Sequence, residues 1–338
     1  MKSRQQVAEL LERSGAEYVS GSSIAEGLGL TRAAVWKCIK QLEEEGYVIE
    51  SSRRGYRLGA ESDAVSLSSV KRYLGSSLEC YSLEVFDSID STNTYLKQNA
   101  AKYIAEESFR SGIWHAAVAG SQSAGRGRMG RSFVSPAGSG VYLSVLLKPQ
   151  LPAEKAVSIT TAAAVAACLA IERCTGEEPQ IKWVNDVFLR GKKTCGILTE
   201  ASIDLESGGL DWAVMGIGLN VYEPEGGFPE ELKDIAGPIC LSRKRDMRSR
   251  LAAEFLKAFR DIASDLEGTR FSEEYKRRSF LIGQDINVIR SGLSRPAKAL
   301  DIDSECRLIV RYEDGSTEAL SSGEVSVRQI IIQRGIKI

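Results

Sequence analysis

The stretch Gly125-Arg126-Gly127-Arg128-Met129-Gly130-Arg131-Ser132 decides how the middle of this chain is read. It follows an apolar, strand-like run from Ile113 to Ala119. Its glycines let the backbone approach a ligand and expose N–H groups. Its arginines carry fixed positive charge that meets phosphate or carboxylate oxygens two at a time. Two phosphate-binding patterns can be laid over it. Gly125, Gly127 and Gly130 fit G-x-G-x-x-G, and residues 125–132 fit G-x-x-x-x-G-K-[ST] with Arg131 in place of the lysine. Both patterns need a helix directly after the loop. Here Phe133-Val134-Ser135-Pro136-Ala137-Gly138-Ser139-Gly140 comes next, and then a second strand-like run, Val141 to Leu147. The loop therefore joins two strands, which excludes a dinucleotide turn and a P-loop. It predicts a cradle for an anion with more than one negative group; a solvated basic hairpin is the plain alternative.

Working outward, 338 residues predict two or three domains. The formal net charge of −1 supplies no global field toward nucleic acid or membrane, so any DNA binding must come from a local patch. The N-terminus lacks the apolar core of a signal peptide. The uncharged run Ala156 to Ile171 is rich in Ala, Ser and Thr, too short to span a bilayer, and reads as a buried helix. The seven cysteines show no C-x-x-C spacing, which predicts reduced thiols, a cytoplasmic protein and no zinc site. The single histidine, His115, lies in the strand before the arginine loop and is assigned a structural role.

Residues 1–58 read as a winged helix-turn-helix. An amphipathic helix over Gln5–Arg13 is followed by a short helix near Ser23–Gly27. Thr31 then caps a helix from Arg32 to Glu45, with Val35, Cys38, Ile39 and Leu42 as its apolar stripe. Tyr47–Glu50 and Tyr56–Leu58 pair across Ser52-Arg53-Arg54-Gly55 as the wing. The third helix would enter the major groove and the wing would reach phosphates or the adjacent minor groove. The candidate DNA contacts are Ser22, Arg32, Ala33, Trp36, Lys37, Lys40, Arg53 and Arg54. A protein-binding winged helix is the alternative. Residues 59–69, polar and aperiodic, read as a linker. Residues 70–282 read as a mixed-sheet α/β domain and 283–338 as short strands forming a small SH3-like β-barrel, with Glu313-Asp314-Gly315 as a hairpin turn. The fold class is thus a multidomain α+β chain.

Four segments of the central region stand out together: Asp90-Ser91-Thr92-Asn93; Gln122 with the arginine loop; Lys182-Trp183-Val184-Asn185-Asp186 continuing to Lys192–Glu200; and Gly216-Ile217-Gly218-Leu219-Asn220. Taken singly, these are a helix cap, a basic loop, a turn and a strand bulge. In this order, between a winged helix and a small barrel, they resemble the bifunctional biotin protein ligase and biotin-operon repressor family. The loop resembles that family's ligand loop. Residues 182–186 resemble its K-W-P-N-D motif with Val184 where proline is usual, Lys193 and Gly196 its K-x-x-G, and residues 216–220 its G-I-G-x-N.

The resemblance implies a class II synthetase-like catalytic domain and a two-step reaction with biotin, ATP and Mg²⁺: biotinyl-5′-adenylate forms, then a lysine of a biotin carboxyl carrier protein takes the biotinyl group. It implies that Ser91, Thr92, Asn93, Gln122, Arg126, Gly127, Arg128, Lys193 and Gly196 hold biotin. It implies ATP contacts from Arg126, Arg128, Arg131, Phe133 (where tryptophan is frequent), Lys182, Asn185, Asp186 and Asn220. Lys193, Arg128 and Asp186 are the implied catalytic groups, with Asp186 as a Mg²⁺ ligand. It also implies a ligand-promoted homodimer on the operator DNA of biotin-synthesis genes, and no membrane partner. A biotinyl-adenylate-dependent regulator without catalysis and a lipoate protein ligase are the competing readings.

Overall fold

The computed structural model describes residues 2–327 except 45, 205, 207, 267–269, 291, 292 and 322; the last residues assigned to the small barrel, 328–338, lie outside the described residues. At the N-terminus, α1 (Lys2–Arg13), α2 (Gly21–Leu28) and α3 (Arg32–Glu44) precede a hairpin of β1 (Ile49–Ser52) and β2 (Gly55–Leu58). Ser20 caps α2 by accepting from Ser23 N at 3.0 Å, and Thr31 Oγ1 accepts from Ala34 N at 3.1 Å to start α3. Val7, Leu11, Ile24, Val35, Ile39, Leu42 and Leu58 close one apolar core.

The central region contains α4 (Leu67–Leu74), β3 (Tyr81–Phe86), α5 (Thr92–Ile104), α6 (Glu107–Arg110), β4 (Trp114–Ala119), β5 (Gly140–Leu147), α7 (Val157–Thr175), β6 (Gln180–Lys182), β7 (Asp186–Leu189), β8 (Lys192–Ile203), β9 (Leu210–Asn220), α8 (Met247–Ala263) and α9 (Arg270–Arg278). The sheet order is β3-β4-β5-β9-β8-β7-β6, parallel only between β3 and β4. The segment 180–203 forms three strands, because the Asn185 and Gly191 regions each reverse the chain. On β5, Val141, Leu143, Val145 and Leu147 face the core under α7 and α8, while Leu146 joins the opposite face with Leu96 and Ala100 of α5. The same alternation puts Ser144 on the α5 face. Counted from its 3₁₀ first turn, the helix Ala153–Thr175 is long and apolar enough to cross a membrane, but 78% of its apolar window is buried in this fold.

The linker expectation is corrected in one respect. Ser62, Asp63, Ala64 and Val65 are buried, and Ser66 caps α4 by accepting from Ser69 N at 3.1 Å. Asp63 is matched by Arg248, whose backbone N–H donates to Asp63 Oδ1 at 3.0 Å and whose Nε donates to the Asp63 carbonyl at 2.9 Å. Burial pushes the Asp63 carboxyl up to about 6 despite that guanidinium. Buried Glu12 of α1 accepts from Ser66 Oγ at 2.8 Å and also from Ser68. Two of the polar residues of this stretch, Ser66 and Ser68, are thus partners of a buried carboxylate.

The C-terminal strands β10 (Asp285–Arg290), β11 (Leu293–Ile302), β12 (Leu308–Tyr312), β13 (Thr317–Leu320) and β14 (Glu324–Val327) form one antiparallel sheet in the order β13-β12-β11-β10-β14. Gly315, at φ 85°, makes the expected turn. Its apolar side chains, among them Ile286, Val288 and Val310, merge with the central core. Among the described residues β13 and β14 are the two ends of the sheet and do not pair, so what stands is a five-stranded sheet rather than a closed barrel.

Candidate active site

The arginine loop folds back on itself between β4 and β5. Gly127 N donates to Arg131 O at 2.7 Å and Phe133 N to Gly125 O at 2.9 Å, with a 3₁₀ turn over Arg128–Gly130 at the tip. Met129 (φ 55°) and Gly130 (φ 75°) take left-handed backbone there. No helix comes after the loop, as the strand–loop–strand reading requires. One cavity lies beneath it, lined by Ser91, Thr92, Asn93, Gln122, Arg126, Gly127, Arg128, Arg131, Phe133, Lys182, Asn185, Asp186, Lys193 and Gly196, and also by Met129, Ser132, Trp183, Gly216, Gly218, Gly323 and Val325.

The floor is built around the start of α5. Ser91 caps the helix through Thr94 N, so the cap and the pocket are the same residues. Gln122 Oε1 accepts from Thr92 N at 2.9 Å and from Thr92 Oγ1 at 3.1 Å, while its Nε2 donates to Ser135 Oγ at 3.2 Å. Buried Ser144 donates to Asn93 Oδ1 at 2.6 Å and lies 2.7 Å from Thr92 Oγ1. Asn93 Nδ2 donates to Leu198 O at 3.3 Å and to Glu200 Oε2 at 3.1 Å. Both ends of the Asn93 amide are therefore assigned by their neighbours. The glycines of β8 and β9 leave room for this arrangement. A Cβ on Gly216 would meet Asn93 Oδ1 at 1.9 Å, and one on Gly218 would meet the Phe133 ring at 2.3 Å. Gly196 and Gly218 pair directly across the strands, and the Phe133 ring lies over both.

Charge gathers on the other wall. Lys193 Nζ sits 2.6 Å from Asp186 Oδ1. Arg128 Nη1 donates to Asn185 Oδ1 at 2.9 Å, and its Nη2 donates to the Gly323 carbonyl at 3.3 Å. Asn185 is held in turn by donating Nδ2 to Ile197 O at 2.9 Å. Arg126 Nη1 is 3.5 Å from Glu200 Oε1. The turn carrying Trp183 and Val184 is pinned by Trp183 Nε1 donating to Cys306 O at 2.9 Å and Tyr275 OH donating to Val184 O at 3.0 Å. Of the residues singled out in the sequence, Asn220 does not line the cavity. It stands behind Lys193, its Nδ2 3.5 Å from the Lys193 carbonyl.

Ser144, Ser135 and the C-terminal pair Gly323 and Val325 belong to the site and were missed. Only the alternation along β5 could have flagged Ser144, as a polar residue in an apolar strand. His115 lies apart from the cavity, buried and stacked on Tyr103 at 3.9 Å, and burial pulls its imidazole below the ordinary value.

A second surface belongs to the N-terminal module. Ser22, Arg32, Ala33, Trp36, Lys37, Lys40, Arg53 and Arg54 are all exposed, and Trp36, an indole, is 56% exposed. Positions 32, 33, 36, 37 and 40 share one face of α3. Lys40 is shared with Glu43 at 2.7 Å, and Arg54 lies over the Tyr18 ring at 5.3 Å.

Comparison with known proteins agrees with this arrangement. Residues 85–220 match the biotin/lipoate A/B protein ligase family, residues 3–57 an HTH domain, and residues 281–328 the biotin protein ligase C-terminal domain. The chain is 35% identical to the bifunctional ligase/repressor BirA of Bacillus spizizenii over 94% of its own length and 97% of that protein. It is 34% identical, with the same coverage, to the BirA of Bacillus subtilis. Among solved structures, the biotin protein ligase from Aquifex aeolicus in complex with biotin and ATP aligns with a TM-score of 0.59 at 26% identity, over 73% of this chain and 98% of that one. With all three parts matched in order and nearly the whole length shared, this chain belongs to the family of the bifunctional ligase/repressor BirA proteins.

Proposed function

We propose that this chain is an ATP-dependent biotin protein ligase that forms biotinyl-5′-adenylate, transfers biotin to a lysine of a biotin carboxyl carrier protein, and represses transcription in response to the same adenylate. The observation that carries the catalytic reading is that one cavity joins a hydrogen-bonding floor of Thr92, Asn93 and Gln122 to a wall carrying Arg128, Arg131, Lys182 and the Lys193–Asp186 pair.

In the first step a biotin carboxylate oxygen attacks the α-phosphorus of ATP, the bond to the β-phosphate oxygen breaks, and pyrophosphate leaves. In the second, a lysine amine attacks the acyl carbon, AMP leaves, and the amine loses a proton. Two anions must be brought together against their repulsion, so fixed cations at the reacting atoms are the main requirement. Ser91, Thr92, Asn93 and Gln122 suit the urea-like ring of biotin, with the glycines of β8 and β9 beneath it. Lys193 and Arg128 face the reacting carboxyl and phosphoryl oxygens. Arg126, Arg131, Phe133, Lys182 and Asn185 take the nucleotide, and Asn220 supports Lys193 from behind.

A Mg²⁺ fits Asp186. Asp186, whose Oδ1 lies 2.6 Å from Lys193 Nζ, would hold the ion by one carboxylate, with substrate phosphates and water completing its shell. When bound, Mg²⁺ would offset charge on the phosphate oxygens.

The units are taken as 1–58 for DNA, 59–69 as the docked connection, 70–282 for catalysis and 283–338 as an SH3-like C-terminal unit. The regulatory reading adds a ligand-promoted homodimer whose two winged helices meet half-sites in the operators of biotin-synthesis genes, in the cytoplasm. The test is ATP-dependent labelling of a carrier domain with biotin or lipoate, followed by gel shifts on a biotin-gene promoter. Biotin-selective labelling and ligand-dependent retardation are expected. Lipoate preference defeats the catalytic reading, and equal DNA affinity with and without biotin plus ATP defeats the co-repressor reading.

A further inference from the structure

Glu200, at the outer half of β8, is used by none of the roles above, yet it touches both sides of the pocket. Its Oε2 accepts from Asn93 Nδ2 at 3.1 Å, on the floor. Its Oε1 is 2.6 Å from Lys97 Nζ and 3.5 Å from Arg126 Nη1, on the lid loop. The Glu200 side chain is 20% exposed, while that of Arg126 is 49% exposed, so the contact joins a half-buried group to an exposed one. Lys97 lies one turn beyond Asn93 on α5 and is a second cation on the same carboxylate oxygen. The Asn93 amide is oriented by Ser144, which donates to its oxygen, and by Glu200 and the Leu198 carbonyl, which accept from its nitrogen; Glu200 is the shorter and the charged acceptor.

We propose that Glu200 is a positioning residue that ties the lid to the pocket floor, one carboxylate oxygen fixing the Asn93 amide and the other holding Arg126. A substrate carboxylate or phosphate then competes with Glu200 for Arg126, so the loop exchanges one anion for another instead of closing from solution. This rests on the ligase reading only for the identity of the competing anion; the tie itself is a property of the chain.

Limited trypsin digestion of the full-length protein reads the tie directly, because Arg126, Arg128 and Arg131 are all cleavage sites in the loop. With no ligand added, Glu200→Gln should release fragments ending at these arginines two- to fivefold faster than wild type, the range expected for one partly exposed ion pair. Lys97→Met, which leaves the Glu200–Arg126 contact, should be cleaved at the wild-type rate.

In carrier labelling, Glu200→Ala should raise KM for biotin about tenfold with kcat changed less, because a hydrogen bond to a charged group is lost. Glu200→Gln, which keeps an acceptor for Asn93, should recover part of that KM. Equal cleavage of wild type and Glu200→Gln overturns the tie. So does faster cleavage of Lys97→Met, or an unchanged KM in a folded Glu200→Ala. The digestion decides the tie even where carrier labelling fails, which would count against the ligase reading alone.

Discussion

A methyl group on Gly216 is the sharpest perturbation of this site. Gly216 does not have left-handed backbone, so alanine costs nothing there in φ. Its Cβ, however, would lie 1.9 Å from Asn93 Oδ1, and Asn93 would have to withdraw by roughly 1.5 Å to reach ordinary contact. That movement breaks the 2.6 Å bond from Ser144 and pulls Nδ2 away from Glu200 and Leu198. Overpacking typically costs about 1–3 kcal/mol and the lost buried hydrogen bond about 1 kcal/mol more. At about 2–4 °C per kcal/mol for a domain of this size, Gly216→Ala should melt roughly 4–16 °C lower. Misplacing a substrate-positioning group by 1 Å costs on the order of 10²-fold in rate, so kcat/KM for biotin should fall by about that factor, with ATP handling much less affected. Biotin titrations in carrier labelling and thermal denaturation measure both. The double variant Gly216→Ala/Asn93→Ala removes the clash, so it should recover most of the melting temperature and none of the biotin affinity. A Gly216→Ala protein with wild-type KM for biotin, or a double variant no more stable than the single, would refute the steric argument.

Three further outcomes are expected. Lys193→Ala, which removes the ammonium 2.6 Å from Asp186, should slow adenylate formation by about 10²–10³, read by pyrophosphate exchange; a near-normal rate removes Lys193 from the mechanism. Arg128→Gly breaks the bonds to Asn185 and Gly323, so adenylate should escape about tenfold faster and label bystander lysines. Unchanged retention of adenylate on a desalting column argues against that role. Burial holds the folded His115 below the ordinary value of 6.5, so below about pH 6.5 the unfolded chain binds a proton that the folded chain refuses. Its contribution is therefore intact above that pH and lost as pH falls. His115→Phe should flatten the fall in melting temperature between pH 7 and pH 5, and an identical slope in both proteins would contradict this.

Local signals made much of this molecule legible. The arginine loop was readable because the next segment, Phe133 to Gly140, cannot be helical. The winged helix was readable because the Thr31 cap and the Val35–Leu42 stripe are short-range signals. Ser144 and Ser135 escaped because each is a lone serine whose partner lies elsewhere in the chain. Gly323 and Val325 escaped because nothing local says that the C-terminal sheet leans over the cavity. Residues 62–65 looked like a tether because the residue that buries them, Arg248, is 185 positions away from Asp63. Asn220, read as reaching the nucleotide, sits one layer back, since β9 has already left the cavity there.

The guanidinium of Arg128 is held by Asn185 and by Gly323, and Gly323 immediately precedes β14, the last strand described. On a ribosome, the winged helix and the arginine loop emerge long before that carbonyl exists. A nascent chain can therefore fold its DNA-reading module while its lid still lacks one of its two fastenings. The second fastening of the loop over a reactive acyl-adenylate thus arrives only once residue 323 has been made, 195 positions after the arginine it holds.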